Sequence, residues 1–262
     1  MAEHGLALWL RFGDSRFLLD TGQGLVLRHN AKQLGVDLGS AHGILLSHGH
    51  YDHTGDLAAL LTEAGCPIHA HPAAFQPRYA HDGCGHCRSV GIAGVETMGR
   101  LLARHLHPVE APAEVVPGLW LTGPVPRACE FEAVAHPFVL DPAGQIEDPL
   151  VDDQSVFYRA AAGTVVLLGC AHSGVINTLR HVRDLTDGAP IHTVVGGMHL
   201  GSASPTRIAQ TVAALRDLGV GRIAPMHCTG VAATHSIRNE FGESCLACPT
   251  GTFLELPSAL AG

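Results

Sequence analysis

Short apolar runs that stop at polar turns set the rhythm of the chain. Leu6 to Leu10 and Arg16 to Leu19 read as two strands joined by the turn Gly13-Asp14, and Gly43-Ile44-Leu45-Leu46 reads as a buried third strand. Asp56 to Gly65 reads as a helix, because Leu57, Leu60, Leu61 and Ala64 share one face and Gly65 suits a C-terminal stop. Ile68 to His71 is a short strand ended by Pro72. From about 72 to 117 Gly, Pro, His and Arg recur without clear period, so a loop-rich insertion, a lid over a site, is expected there. Strands are then expected at Leu119 to Thr122, Phe131 to Ala135 and Ser155 to Arg159. Beyond them strand and helix alternate. Thr164 to Leu168 leads into a helix with Ile176, Leu179 and Val182 inward. Ile191 to Val195 leads into one capped by Ser204-Pro205, with Ile208, Val212, Leu215 and Leu218 as its stripe. Arg222 to Pro225 is the last strand.

The polar turns carry the chemistry. After Leu46 comes Ser47-His48-Gly49-His50-Tyr51-Asp52-His53, three imidazoles and one carboxylate within six residues. Residues two apart on an extended segment point the same way, so His48 and His50 can reach one cation. Asp52 and His53 lie past the bend and can address a second. Carboxylate with imidazole suits Zn²⁺, Mn²⁺ or Fe²⁺. Three more strands end in histidine-bearing turns, at His172, His199 and His227. Parallel strands flanked by helices present their carboxyl ends on one edge, where sites form.

Composition narrows the class. With 262 residues, 46% hydrophobic, one large domain spanning 1–262 is the default. A formal charge of −8 with no basic run argues against nucleic acid as partner. No apolar run approaches the length of a membrane span. The start Met1-Ala2-Glu3-His4 lacks the pattern of a signal peptide, so a cytoplasmic location is expected. Eight cysteines in such a chain read as reduced thiols or metal ligands. Cys84-x-x-Cys87 and Cys245-x-x-Cys248 have metal-clip spacing, and together would suit a structural Zn²⁺ or an iron–sulfur cluster. Cys66 and Cys129 read as buried thiols.

The His-x-His-x-Asp-His turn behind an apolar strand resembles the signature of the metallo-β-lactamase superfamily, as does the turn Asp20-Thr21-Gly22. Glu3-His4-Gly5-Leu6, Thr122 to Arg127, Asp152-Asp153-Gln154, Gly169 to Gly174, Gly196 to Leu200 and His227-Cys228-Thr229-Gly230 occur in the order found in one branch, that of 7,8-dihydropterin-6-ylmethyl-aminobenzene-ribofuranosyl-phosphate synthase and related metal-dependent hydrolases. The resemblance implies an α/β fold, the αββα sandwich of two mixed sheets with helices on the outer faces. It implies two cations, Zn²⁺ or Mn²⁺/Fe²⁺, one on His48, His50 and His172 and one on Asp52, His53 and His227. Most of the superfamily places a bridging Asp where this chain has Cys170. Cys170, Asp153 or a water could take that place. The implied activity is hydrolysis or condensation of a phosphate-bearing small molecule. Asp52 would accept a proton, and His199 would contact substrate phosphate or act as acid. Two other classes are weighed against it: a non-catalytic metal or ligand sensor, and a redox protein using the cysteine pairs.

Overall fold

The computed structural model describes residues 1–81, 86–133 and 137–260. In chain order its strands and helices are β1 (Leu8–Phe12), β2 (Ser15–Leu19), α1 (Leu27–Gln33), β3 (Gly43–Leu45), α2 (Tyr51–Thr54), α3 (Leu57–Ala64), β4 (Ile68–Ala70), β5 (Tyr79–His81), β6 (Cys87–Ser89), α4 (Gly99–His105), β7 (Leu106–Pro108), β8 (Ala113–Val116), β9 (Leu119–Leu121), β10 (Phe138–Val139), β11 (Ser155–Ala160), β12 (Gly163–Leu168), α5 (Val175–Leu185), β13 (Ile191–Gly196), α6 (Pro205–Asp217), β14 (Arg222–Pro225) and α7 (Val231–Phe241). The chain divides into two compact units, residues 1–110 with 135–152 and residues 111–134 with 153–262.

The first unit holds a mixed sheet ordered β1-β2-β3-β4-β7 and a small sheet ordered β10-β5-β6. β1 and β2 form the expected hairpin, and β2, β3, β4 and β7 run parallel. The helix α3 makes the crossover from β3 to β4, as parallel neighbours require. Its Leu57, Leu60 and Leu61 are at most 2% exposed, and they pack with Leu18, Ile44, Leu46 and Ile68. Each such leucine contributes roughly 1.5–3 kcal/mol of burial. Gly65 ends α3 with φ 59°.

The second unit holds one mixed sheet ordered β14-β13-β12-β11-β9-β8. β12, β13 and β14 are parallel, joined through α5 and α6, and β11, β9 and β8 continue the sheet antiparallel. The apolar stripes expected on the helices face this core: Ile176, Leu179, Val182 and Leu215 are fully buried, and Ile208 and Val212 nearly so. Ser204 caps α6, its hydroxyl accepting from the Arg207 amide at 3.2 Å. The strand expected over Phe131 to Ala135 is not seen among the described residues, of which 134 and 135 are not part. Glu130–Glu132 is a 3₁₀ turn. The turn carries the Glu132 carboxylate to the open end of α5, where it accepts from the amides of Ile176 (3.0 Å) and Asn177 (2.9 Å). That tertiary capping outweighs the local alternation.

One histidine bears on stability. His69 on β4 lies directly across from His107 on β7, with ring centroids 5.1 Å apart. Burial pushes His69 down from its usual 6.5 to about 4, and the His107 charge adds to the shift. A histidine whose folded pKa is depressed stabilises the neutral form. The unfolded chain therefore takes up the proton first, and stability drops as pH falls from about 6.5 toward 4. Replacing His69 with glutamine flattens the unfolding free energy across that window. The expected difference is ~1–2 kcal/mol, reduced from the full shift because the ring is only partly buried. Urea titrations at a series of pH values check it, and parallel pH profiles of wild type and variant would contradict it.

Candidate metal centre

The first unit builds its part at the carboxyl ends of β2 and β3. Ser47, His48, His50, Asp52 and His53 are all buried. Asp20, fully buried at the end of β2, organises them. Its carboxylate accepts from the Ser47 amide (2.8 Å), the Ser47 hydroxyl (2.6 Å) and His53 Nδ1 (2.6 Å). These bonds fix proton positions. With Asp20 as the acceptor, the hydrogen bond places a proton on His53 Nδ1 and leaves Nε2 as the nitrogen on the side of Asp52. The Ser47 hydroxyl spends its proton on Asp20, so toward His48 Nδ1, 2.9 Å away, it accepts. His48 then carries its proton on Nδ1 and turns Nε2 toward His50. One carboxylate thus sets both tautomers, as buried partners behind metal-ligating histidines do. His48 Nε2 lies 3.0 Å from His50 Nδ1. Asp52 Oδ2 lies 3.9 Å from His53 Nε2 and 3.3 Å from Nε2 of the exposed His4. Ring nitrogens this close and this dry suit a divalent cation, and the donor set fits one.

The turn is held from below by a buried ion cluster. Arg78 is 1% exposed. It meets Asp152 at 2.5 Å and Asp148 at 3.2 Å. Asp152 uses its other oxygen to accept from the Gly49 amide at 2.8 Å. Gly49 itself has no room for a side chain, since a Cβ there would sit 1.9 Å from the Ala74 carbonyl oxygen.

The second unit places His172, His199 and His227 at the carboxyl ends of β12, β13 and β14. The His172 and His199 rings have centroids 4.2 Å apart. Ligand atoms of Cys170, His199 and Cys228 lie within 4.8 Å of one another. Asp153, weighed as a bridging ligand, has Oδ2 accepting from the Ser173 amide at 2.8 Å. Burial raises the Cys228 thiol, but hydrogen bonds with Cys170 and His199 and the nearby His227 and His199 charges outweigh it and bring the thiol well below the usual range. Ala171, His199 and His227 adopt positive φ of 52°, 47° and 50°. For non-glycine residues this is strained backbone, which gathers at functional turns.

Sequence reasoning found every imidazole in these turns and missed what supports them. Asp20 was legible only as part of a turn. Arg78 had no periodic signal, and Cys228 is an ordinary neighbour of His227 until β13 and β14 pair. The cysteine clips fare differently. Cys84 lies outside the described residues. Cys87 on β6 has its sulfur 3.5 Å from His81 Nδ1. Cys245 packs into the core of the second unit, where burial raises its thiol. None of this supports an iron–sulfur cluster. None of the seven described cysteines is in a disulfide, and Cys66 and Cys129 are buried as expected.

Residues 2–83 match the family described as the metallo-beta-lactamase superfamily. The crystal structure of Tm1679, a metal-dependent hydrolase of the beta-lactamase superfamily, superposes with a TM-score of 0.82 at 31% identity, covering 98% of this chain and 93% of that one. The metallo-beta-lactamase fold protein YhfI from Bacillus subtilis shares the fold at 15% identity, with a TM-score of 0.58, 95% of this chain and 90% of that one covered. The chain therefore belongs to the metallo-β-lactamase superfamily and has its mixed α/β fold. Within it, the chain is 27% identical over 259 residues to 7,8-dihydropterin-6-methyl-4-(beta-D-ribofuranosyl)-aminobenzene-5'-phosphate synthase of Methanocaldococcus jannaschii, covering 92% of this chain and 86% of the relative. Among the described residues no helix is long and apolar enough to cross a membrane.

Proposed function

We propose that the protein is a metal-dependent hydrolase acting on a phosphate-bearing small molecule. The observation that carries this reading is the buried turn itself, where His48 Nε2 lies 3.0 Å from His50 Nδ1 and His53 Nε2 lies 3.9 Å from Asp52 Oδ2, braced from behind by Asp20. Three imidazoles and a carboxylate crowded into a dry turn carry a high desolvation cost that a bound cation would offset. His48, His50 and His172 would hold one ion, and Asp52, His53 and His227 a second, with Zn²⁺, Mn²⁺ and Fe²⁺ all compatible with the donors. When bound, such ions supply Lewis acidity and an acidified water at neutral pH. The residues of the chain do the rest. Asp52 would accept a proton, its carboxylate being oriented by His4. His199, on its strained turn, would contact the phosphate. A phosphate group is favoured by the near full-length likeness to a synthase whose named product carries one. The same likeness supports a second reading, condensation on an aminobenzene ribosyl phosphate. Hydrolysis is preferred because Tm1679, 31% identical over nearly the whole chain, is described as a hydrolase.

Metal analysis of wild type and His50→Ala tests the reading. Wild type should carry at least two ions per chain and the variant at least one fewer. Hydrolysis of a panel of phosphate mono- and diesters should vanish with a chelator and return with Zn²⁺ or Mn²⁺. Unchanged metal content in the variant would remove the proposal.

A further inference from the structure

We infer that Cys170, His199 and Cys228 form a sulfur-rich cation site within the second unit, built for a thiophilic ion such as Zn²⁺. The three residues come from the ends of three adjacent parallel strands, β12, β13 and β14. Their ligand atoms already lie within 4.8 Å of one another. Around tetrahedral zinc with a Zn–S distance near 2.3 Å, two sulfurs stand about 3.8 Å apart, so small side-chain rotations close the site. Two thiolates and one imidazole are a donor set that selects zinc and leaves a fourth position open.

Three independent features serve this cluster. The His199 amide donates to Cys228 Sγ at 3.3 Å, the N–H to sulfur bond that steadies a thiolate ligand. Gly197 has no side chain because a Cβ there would stand 2.6 Å from Cys228 Sγ and 2.5 Å from the Gly169 carbonyl oxygen. Of the six non-glycine residues with positive φ among those described, Ala171, His199 and His227 flank or belong to the cluster. Strain of this kind persists only where the surroundings over-determine it. The imidazole of His199 has two nitrogens, so one can face the cation while the other meets substrate.

The site borders the proposed pair of ions, since the ligand atom of Cys170 also lies within 4.8 Å of those of His172 and His227, and its sulfur donors are what tell it from them. Anaerobic titration with Co²⁺ tests it. Wild type should develop a thiolate-to-cobalt charge-transfer band in the near ultraviolet. The band should fall at least several-fold in Cys228→Ser and in Cys170→Ser, and it should persist in His50→Ala. A wild-type protein that binds Co²⁺ without the band overturns the inference and leaves the imidazole reading standing. A band that survives both serine variants also overturns it, since other thiols would then be responsible. A band present in a protein whose His50→Ala variant loses no ion supports the cysteine site and removes the proposed function instead. Should the serine variants misfold by circular dichroism, X-ray absorption of zinc-loaded wild type decides. A sulfur shell near 2.3 Å is expected, and a purely nitrogen and oxygen shell overturns the site.

Discussion

Replacing Arg78 with methionine lowers the unfolding free energy by about 3–5 kcal/mol. The guanidinium is almost wholly buried, with Asp148 and Asp152 against it. Methionine keeps much of the stem and removes the charge. Two carboxylates then remain in a dry site with no cation, and they must either stay ionised at high cost or take up protons. The damage reaches the histidine turn, because Asp152 also accepts from the Gly49 amide. Chemical denaturation checks the loss. Adding Asp148→Asn and Asp152→Asn to the variant should recover part of it, since the uncompensated charges are then gone and an amide oxygen can still accept from Gly49. A change under about 1 kcal/mol would mean that water or another group already screens the cluster.

The second large effect falls on metal affinity. Asp20→Asn keeps the shape of the side chain, and asparagine tolerates the positive φ of 59° at this position. It changes the protons. An amide NH₂ facing His53 Nδ1 donates where the carboxylate accepted. The proton on His53 then moves to Nε2, the atom that the proposed function gives to a cation. Ser47 loses its acceptor as well, so His48 is no longer held in one tautomer. The expected loss is roughly 10–100-fold in affinity for Zn²⁺. Competition against a chromophoric chelator measures it. Asp20→Asn with wild-type affinity would mean that the relay does not set the ligand nitrogens.

The elements that position the site were largely legible in the sequence, because each is a local pattern. An apolar run ends at a polar turn, and a helix with one apolar face follows: β3 with α3, β12 with α5, β13 with α6. Histidines at strand ends needed no partner to be noticed. What stayed hidden depends on contacts between distant positions. Glu132 looked like part of an alternating strand until α5 supplied amides for it to cap. Arg78 sits between Pro77 and Tyr79 in a span without periodicity, and its partners Asp148 and Asp152 are some seventy residues on. Cys228 became a neighbour of Cys170 and His199 only through the parallel register of β12, β13 and β14. The expected four-cysteine clip rested on spacing alone, and spacing says nothing of whether a thiol such as Cys245 is taken into the core.

The proposed function requires cations on the histidine turns. Anomalous diffraction from crystals of the zinc-loaded protein, recorded on both sides of the zinc absorption edge, tests this most directly. The prediction is one ion on His48, His50 and His172 and another on Asp52, His53 and His227. Zinc-loaded crystals with no anomalous peak beside His48 and His50 would contradict it.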